Sequence, residues 1–376
     1  MIIGIDGNEA NIKNRVGVNT YAFELLKNLS KLQDEWKDRH SLIVYLKDRP
    51  LPDMPEETAN FKYKVIPGQG MWILTKLMPR LIFNKEGIDV FFSPSHYLPP
   101  LTSMPMVCSI MDLGYLEFSG QFTKKVFWQL KWWTAISISI SKAIIAISES
   151  TKRDIVRHYP SAKTKTHVTP LAYDPKQFND HIPLNDVRRV VQKYSIVDDY
   201  ILYLGTLKPS KNVEGLVAAF GLIANNYPLM TLVIAGKKGW LYEPIYKKVE
   251  ELGLKDKVIF TDFIPDIDKP GLIRGAKAFV LPSFWEGFGL DALNAMASGT
   301  PVVVSSVGSL PDVVGGAASL VDPNSIDSIA GGIEKVLSMG KLEYNSMVEG
   351  GLAQAKKFSW EKTSRQTLEI LENVHR

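Results

Sequence analysis

Short apolar runs alternate with longer stretches in which apolar residues recur every three or four positions, almost from end to end. In the first half the runs fall at residues 1–5, 42–46, 90–92, 107–110 and 143–147. Such runs are too short for helices and rich in β-branched residues, so they predict strands buried on both faces. Between the first two, Tyr21, Leu25, Leu29 and Leu32 share one face of a helix predicted over 20–31. The rhythm is cleaner in the second half. Strands are predicted at 200–204, 230–235, 257–260, 278–281, 301–304 and 318–321, with helices at 212–224, 244–252, 270–275, 290–297 and 325–338. Pro244 and Pro270 stand where two of those helices begin, a position that tolerates proline because the first N–H groups have no intrahelical partner. One segment reads two ways. Ile136, Ile138 and Ile140 alternate like a strand, yet Trp128, Trp132, Ile136 and Ile140 step by four. Residues 124–141 exceed the usual strand length, and 143–147 supplies the next strand, so helix is preferred.

Strand–helix alternation predicts parallel βαβ units, and six strands suffice for one doubly wound sheet. The stretch 172–186, with Pro175, Asn179, Asp180, Pro183 and Asn185, reads as the linker. The expected architecture is therefore α/β: two Rossmann-like, doubly wound parallel-sheet domains at 1–178 and 179–357, followed by a final segment at 358–376. Sheets facing each other would leave a cleft lined by the carboxyl ends of the strands, where such folds bind ligands. Composition agrees with a packed globular chain: of 376 residues, 45% are hydrophobic and 22% charged. Forty-four basic against 40 acidic residues leave a scattered net charge of +4, which does not point to a nucleic-acid partner. Cys108 is the one cysteine, so neither a disulfide framework nor a multi-cysteine metal site is expected, and its apolar surroundings predict a buried, inert thiol. Neither a secretory leader nor an apolar stretch of ~18 residues is seen, making the cytoplasm the expected compartment.

Three strand-exit loops carry candidate chemistry. The first, Gly205-Thr206-Leu207-Lys208-Pro209-Ser210-Lys211-Asn212, combines a strand-exit glycine, two lysines and a helix start, a setting suited to an anion. It lacks Walker A spacing, and a solvated turn would also explain it. The second, Pro282-Ser283-Phe284-Trp285-Glu286-Gly287-Phe288-Gly289-Leu290, leads into a helix. Its glycines let a ligand approach the main chain, while Glu286 can accept from hydroxyls. Asn294 shares a helical face with Leu290 and either points to the same place or faces solvent. The third loop, 7–19, offers Gly17 before a helix. No Gly-x-Gly-x-x-Gly follows the first strand, which argues against a nicotinamide enzyme. The six histidines form no ligand pair, so no metal site is expected. His96, just after a strand, either reaches the cleft or is an ordinary loop residue.

These loops together resemble glycosyltransferase family 4, the retaining nucleotide-sugar transferases of GT-B fold, and in particular its mannosyltransferase-like branch. The 282–290 segment with Ala295-Met296-Ala297-Ser298-Gly299-Thr300-Pro301-Val302-Val303 is similar to the family's Glu-Gly-Phe-Gly-Leu signature and the strand that follows it. Thr206-Leu207-Lys208-Pro209-Ser210-Lys211-Asn212 resembles a Thr-Leu-Glu-Pro-Arg-Lys-Asn loop, and later landmarks match at Gly308–Asp312, Val321–Pro323 and Phe358–Trp360.

The resemblance implies an acceptor-binding N-terminal domain, a nucleotide-sugar-binding C-terminal domain, and a last helix returning to the N-terminal domain. It implies that Lys211 neutralises the donor diphosphate, that Glu286 binds sugar hydroxyls, and that Phe288, Gly289 and Leu290 hold sugar and phosphate through their N–H groups, with Gly205, Thr206, Ser210 and Gly287 around them. Gly17 would touch the phosphate, Ile264 the base, and Asp112 would lie near the donor sugar. Three positions depart from the family pattern: its second Glu, which usually grips the ribose diol, is Asn294; an Arg beside the phosphate-binding Lys is Ser210; and the His of a His-Asp pair near the donor sugar is Met111. The activity implied is metal-independent, retaining transfer of a hexose from a UDP- or GDP-sugar to a glycan or lipid-linked acceptor in polysaccharide or glycolipid synthesis, with no cofactor beyond the donor. The departures together allow the alternative of a GT-B-shaped binding or scaffold protein without transfer. Two segments, 71–83 and 124–133, mix basic and large apolar residues, and peripheral contact at the inner membrane face is a further expectation.

Overall fold

The computed structural model describes residues 1–121 and 123–375; Arg376, at the end of the expected final segment, lies outside them. The chain divides into two compact units, one of Met1–Leu171 with Ser359–Arg376, the other Ala172–Phe358. The 172–178 stretch thus travels with the second unit.

In the first unit, strands β1 (Ile2–Asp6), β2 (Ser41–Leu46), β3 (Phe61–Val65), β4 (Val90–Ser93), β5 (Met106–Ile110), β6 (Ala143–Ala146) and β7 (Thr166–Val168) form one sheet. Their order is β3-β2-β1-β4-β5-β6-β7, and every pairing is parallel. The predicted apolar runs are its central strands. The two strands without a sequence signal, β3 and β7, are its edges. β3 reads Phe-Lys-Tyr-Lys-Val and buries only Phe61 fully, and β7 is three residues long. Short, half-solvated edges limit unwanted strand pairing and carry little hydrophobic pattern. Cys108 is fully buried on β5, its Sγ 3.3 Å from Ser141 Oγ. Burial pushes the thiol up to about 11, so it stays protonated and unreactive.

The helix Trp360–His375 packs in this unit. The Trp360 ring lies 6.2 Å from that of Tyr21, Thr363 Oγ1 donates to the Pro170 carbonyl at 2.6 Å, and Arg365 grips both oxygens of Glu35. The helix Lys124–Ile140 forms as predicted, but its faces are inverted. It buries Thr134, Ser137 and Ile138, while Trp128, Trp132 and Ile136 are 48%, 63% and 41% exposed.

In the second unit, β8 (Asp199–Leu204), β9 (Met230–Ala235), β10 (Val258–Asp262), β11 (Ala278–Leu281), β12 (Val302–Ser305) and β13 (Ala318–Val321) form a parallel sheet in the order β10-β9-β8-β11-β12-β13. All six were legible as apolar runs. The helices Glu243–Glu251 and Lys269–Gly275 carry Pro244 and Pro270 in their first turns. Three further helices fall outside the sequence reading, one of them the five-residue Leu310–Val314. Leu184–Lys193 takes over the end of the presumed linker and buries Val190 alone, and Lys341–Ala355 buries only Gly351 and Ala355. Lys341–Ala355, with so little buried surface, writes no apolar stripe into the sequence. Strand order reverses direction between β1 and β4 in the first sheet and between β8 and β11 in the second. Crevices for ligands open at such switch points.

Candidate functional site

The loop leaving β8 is stitched to its neighbours before it reaches Lys211. Gly205 N–H donates to the Ala235 carbonyl, Leu207 N–H to that of Lys237, and Gly239 N–H to that of Leu207, each at 2.9 Å. A 3-10 turn, Pro209–Lys211, follows, and Asn212 then adopts a left-handed conformation at φ 52°. Its buried amide donates to the Pro323 carbonyl at 2.7 Å. Asparagine tolerates that conformation better than most residues. The chain is thereby turned sharply just after Lys211, ahead of the helix Val213–Ile223.

The loop leaving the adjacent strand β11 is held to the first. Phe284 N–H donates to the Ser210 carbonyl at 2.9 Å. Ser283 is fully buried, and its hydroxyl donates to Glu286 Oε1 at 2.7 Å. Ser305 Oγ donates in turn to the Ser283 carbonyl at 2.5 Å. The Glu286 carbonyl accepts from both the N–H and the hydroxyl of Ser309, at 3.3 and 3.0 Å. Gly308, at φ +64°, lies against that main chain; a Cβ there would come within 2.9 Å of the Glu286 carbonyl oxygen. Lys211 Nζ donates to Glu286 Oε1 at 2.5 Å, with side chains only 18% and 11% exposed. The β8–β11 switch point therefore carries a cation and an anion facing each other, each on a braced loop.

The helix Leu290–Ala297 starts beside this pair. Gly289 precedes it at φ +94°, and a Cβ there would sit 2.4 Å from Leu310 Cδ2, so both conformation and space require glycine. The first N–H groups of a helix have no carbonyl of their own to bond and favour negative charge. Asn294, 6% exposed, has its Oδ1 buried without a partner. Asp291 lies one turn earlier. Burial raises its carboxyl above the usual 3.8, opposed by the charges of Lys269 and Lys211 and by the neighbouring Asn294, and reinforced by the charge of Glu286.

Of the residues singled out from sequence, Gly205, Thr206, Ser210, Lys211, Glu286, Gly287, Phe288, Gly289, Leu290 and Asn294 belong to these two loops and the helix start. Ser210 contributes its carbonyl as the brace. The Thr206 carbonyl accepts from the Tyr203 hydroxyl at 3.3 Å. Ile264, after β10, is buried, whereas Phe263 beside it is 41% exposed. Gly17 and Asp112 are in the first unit. Gly17, at φ +54°, precedes the helix Val18–Lys31 with open space where a Cβ would be. Asp112 is exposed, and its Oδ1 accepts from Gly114 N–H at 2.9 Å, where the short helix Gly114–Glu117 begins. His96 has its Nε2 buried without a partner, and burial lowers it to about 4, so it is neutral. Among the described residues no three His, Cys, Asp or Glu side chains are grouped to hold a metal. Sequence reading missed Ser283, Ser309 and Asp291. The serines look like loop residues, and Asp291 looks like a helix-dipole partner; only burial distinguishes them.

Two doubly wound α/β units, one with a paired lysine and glutamate at its switch point, define a two-domain protein of GT-B class. Solved structures share that fold. The Anabaena protein Alr3699/HepE, in complex with UDP and glucose, aligns over 99% of both chains at a TM-score of 0.74 and 18% identity. Sucrose-phosphate synthase of Thermosynechococcus elongatus aligns over 99% of this chain and 98% of its own at 0.74 and 20% identity. The model for "Glycosyltransferase Family 4" matches residues 16–177, and that for "Glycosyl transferases group 1" matches 190–351. The chain belongs to glycosyltransferase family 4. It is 37% identical to O-antigen chain mannosyltransferase B of Escherichia coli over 241 residues, 62% of this chain and 61% of that protein. It is 32% identical to the serotype-specific mannosyltransferase WbdA of Escherichia coli over 233 residues, 60% of this chain and 28% of WbdA. The chain thus covers less than two thirds of the length of these relatives.

Proposed function

We propose that the protein transfers a hexose, mannose being the sugar its relatives' names suggest, from a UDP- or GDP-sugar to an acceptor hydroxyl in polysaccharide or glycolipid synthesis. The observation that carries this reading is the Lys211–Glu286 pair at the β8–β11 switch point. A buried ion pair needs good geometry to offset desolvation of both charges. This one has a tight contact, and its anion is further held by Ser283. Donor binding exchanges partners: the diphosphate takes the Lys211 ammonium, and the released Glu286 carboxylate accepts from sugar hydroxyls. As the glycosidic bond breaks, negative charge grows on the leaving phosphate. Lys211 and the N–H groups of Phe288, Gly289 and Leu290 meet that charge, which is the chief electrostatic demand of the reaction and is met here without calling on a metal ion. In the retaining course, the leaving phosphate oxygen takes the acceptor proton on the face from which it departs, so no separate base is required. Steady-state turnover of UDP- and GDP-sugars with the wild type and Lys211→Ala tests the assignment. Loss of about 100-fold or more is expected, as for other charge-stabilising groups, and near-normal turnover would remove Lys211 from the reaction.

The exposed stripe of the helix Lys124–Ile140 supports peripheral membrane contact. Trp128 and Trp132 stack outward at 6.1 Å, beside exposed Lys124, Lys125 and Lys131. Trp133 Nε1 donates to the Leu98 carbonyl, and Ser103 Oγ donates to that of Leu81, each at 3.1 Å. These bonds tie the helix to the segment bearing Leu101 and that segment to the helix Met78–Phe83, whose Phe83 is 75% exposed. Aromatic and basic residues together suit an anionic bilayer surface, where a lipid-linked acceptor would lie. No described helix is long and apolar enough to cross a membrane. Co-sedimentation with anionic vesicles at low salt, lost at high salt, is the expected result; no co-sedimentation at low salt would overturn the contact.

A further inference from the structure

We propose that Glu9, Asn19 and His96 form a subsite for the hydroxyls of an uncharged pyranose, at the β1–β4 switch point of the first unit. The inference rests on the glycosyl-transfer reading, since such a sugar would belong to the acceptor. It selects one class of acceptor, a neutral glycan rather than a sugar phosphate.

β1 and β4 are parallel neighbours, so the loops that follow them emerge side by side at one edge of the sheet. Both loops are braced. Gly7 N–H donates to the Tyr45 carbonyl at 3.0 Å, and a Cβ on Gly7 would come within 2.4 Å of Val44 Cγ1, so the first loop starts hard against β2. Asn8 donates to Asp6 Oδ1 from its main-chain N–H and from its amide, at 3.1 and 2.7 Å. In the second loop the Ser93 and Ser95 hydroxyls are 3.1 Å apart, and Leu98 N–H donates to Ser137 Oγ at 3.1 Å.

Polar capacity is left over on both loops. Glu9 Oε2 accepts from Asn19 Nδ2 at 2.6 Å, and its Oε1 has no donor among the described residues. A carboxylate offers about four acceptor sites, so most of this one is unused. His96 Nε2 is buried and also without a partner. Such an atom is costly to keep and ordinarily has a water or a ligand to explain it. Burial holds the ring neutral, so Nε2 is a donor in one tautomer and an acceptor in the other. A hydroxyl satisfies either; a carbonyl or an ammonium satisfies only one. The half-buried Tyr97 ring lies 4.0 Å from that of His96 and 5.3 Å from that of Trp133. Burial first, and then the charge of Glu9, raises the Tyr97 phenol above its usual 10, so Glu9 is within electrostatic reach of that ring. Carboxylate, amide and imidazole suit the hydroxyls of a pyranose, and an aromatic ring suits its C–H face.

The charges decide against an anion. Burial raises Glu9 above its usual 4.5, and the nearby charge of Asp6 adds to it. His96, being neutral, brings no positive charge. Arg15 on the same loop is committed: its guanidinium meets both Asp53 oxygens at 2.5 and 3.0 Å and covers the Phe23 ring at 3.6 Å. Lys47 acts on both acids but is exposed, where salt screens it. A sugar phosphate would meet two carboxyls opposed only by committed or screened cations.

The test is ligand-observed NMR titration of the intact protein with the methyl pyranosides of mannose, glucose, galactose and N-acetylglucosamine, and with the 6-phosphates of the same four sugars. At least one neutral sugar should bind saturably, and about 10-fold or more tightly than its phosphate. Glu9→Gln should weaken the neutral sugar about 10-fold and narrow its advantage over the phosphate. A merely structural role would weaken both forms alike and leave their ratio unchanged. His96→Ala should weaken the neutral sugar about 5-fold. Should Glu9→Gln fail to fold, His96→Ala and the wild-type ratio carry the test. Binding of none of the neutral sugars overturns the inference, as does equal affinity for sugar and phosphate or an unchanged ratio in Glu9→Gln. Full affinity in His96→Ala would leave a buried water as the partner of Nε2 and overturn the role of that residue. Loss of binding in Glu286→Ala but not in Glu9→Gln would put the sugar at the donor site and overturn it too. Any of these results leaves the donor reading intact so long as UDP or GDP binds the wild type; failure of both nucleotides to bind overturns that reading, and with it the assignment of this sugar to an acceptor.

Discussion

Two helices of this protein break the inside–outside rule in opposite directions. Lys124–Ile140 turns Trp128, Trp132 and Ile136 to solvent and buries Thr134 and Ser137. Leu290–Ala297 buries every residue from Ala292 to Ala297, Asn294 among them, with Asp291 at its start. An amphipathic helix ordinarily does neither. On the first, Ser137 is satisfied within the unit, its hydroxyl accepting from Leu98 N–H at 3.1 Å. What lacks a partner there is apolar surface. On the second, the apolar residues are packed and what lacks a partner is an amide oxygen. The kind of group left over differs, and with it the chemistry that would complete each helix: apolar contact for one, a hydrogen-bond donor for the other. Departures from local pattern are expected where function, rather than folding, selects the residue.

The largest effect that would break the comparison is at the charge pair beside the second helix. Lys211→Ala should lower turnover on the order of 100-fold or more and, by leaving Glu286 unpaired at a largely buried site, should also lower the thermal midpoint, measured side by side. Next is the first helix. Trp128→Ser/Trp132→Ser should weaken partition onto anionic vesicles about 30-fold, the equivalent of ~2 kcal/mol of lost apolar burial. As substitutions at exposed positions, they should shift folding stability by no more than ~0.5 kcal/mol. A large loss of stability instead would mean the tryptophans are structural. Ser283→Ala removes the hydroxyl that holds Glu286 and should cost about 10-fold in turnover, as for a hydrogen bond to a charged group. Full rescue by Ser283→Thr, seen in the same assay, would identify it as a positioning residue.

The smallest effect is a control from the first unit. Asp154 is also a buried acid with a carboxyl oxygen lacking a donor, and burial raises it to about 6. Its folded form binds the proton more tightly than the unfolded chain does. Its contribution to stability is therefore complete below its ordinary value of 3.8 and is lost as pH rises through about 6. Asp154→Asn should flatten the thermal midpoint between about pH 4 and pH 6. An unchanged pH profile would show that its charge does not matter to folding.

The central strands were legible because each is buried on both faces and therefore spelled in unbroken apolar runs. The edges β3 and β7 were not, since a half-solvated or three-residue strand has too few buried positions to make a pattern. The helix Lys341–Ala355 escaped for the same reason. Lys211, Glu286 and the glycines were legible as motifs, being polar or flexible residues at strand exits. Ser283 and Asp291 were not, because their roles depend on burial and on what they touch. Ser283 gains its meaning from a 2.7 Å contact with Glu286. The stripe on Lys124–Ile140 was read as a helix from its step of four, yet periodicity gives a helix its face and not the direction in which that face points.

The most direct test of the account is calorimetric titration of UDP and GDP into the wild type and Lys211→Ala. The account expects one of the nucleotides to bind the wild type saturably and Lys211→Ala to bind it at least about 100-fold more weakly, the loss of a charge-assisted contact to phosphate at a largely buried site. Equal affinity in the two proteins, or no binding of either nucleotide by the wild type, would contradict it.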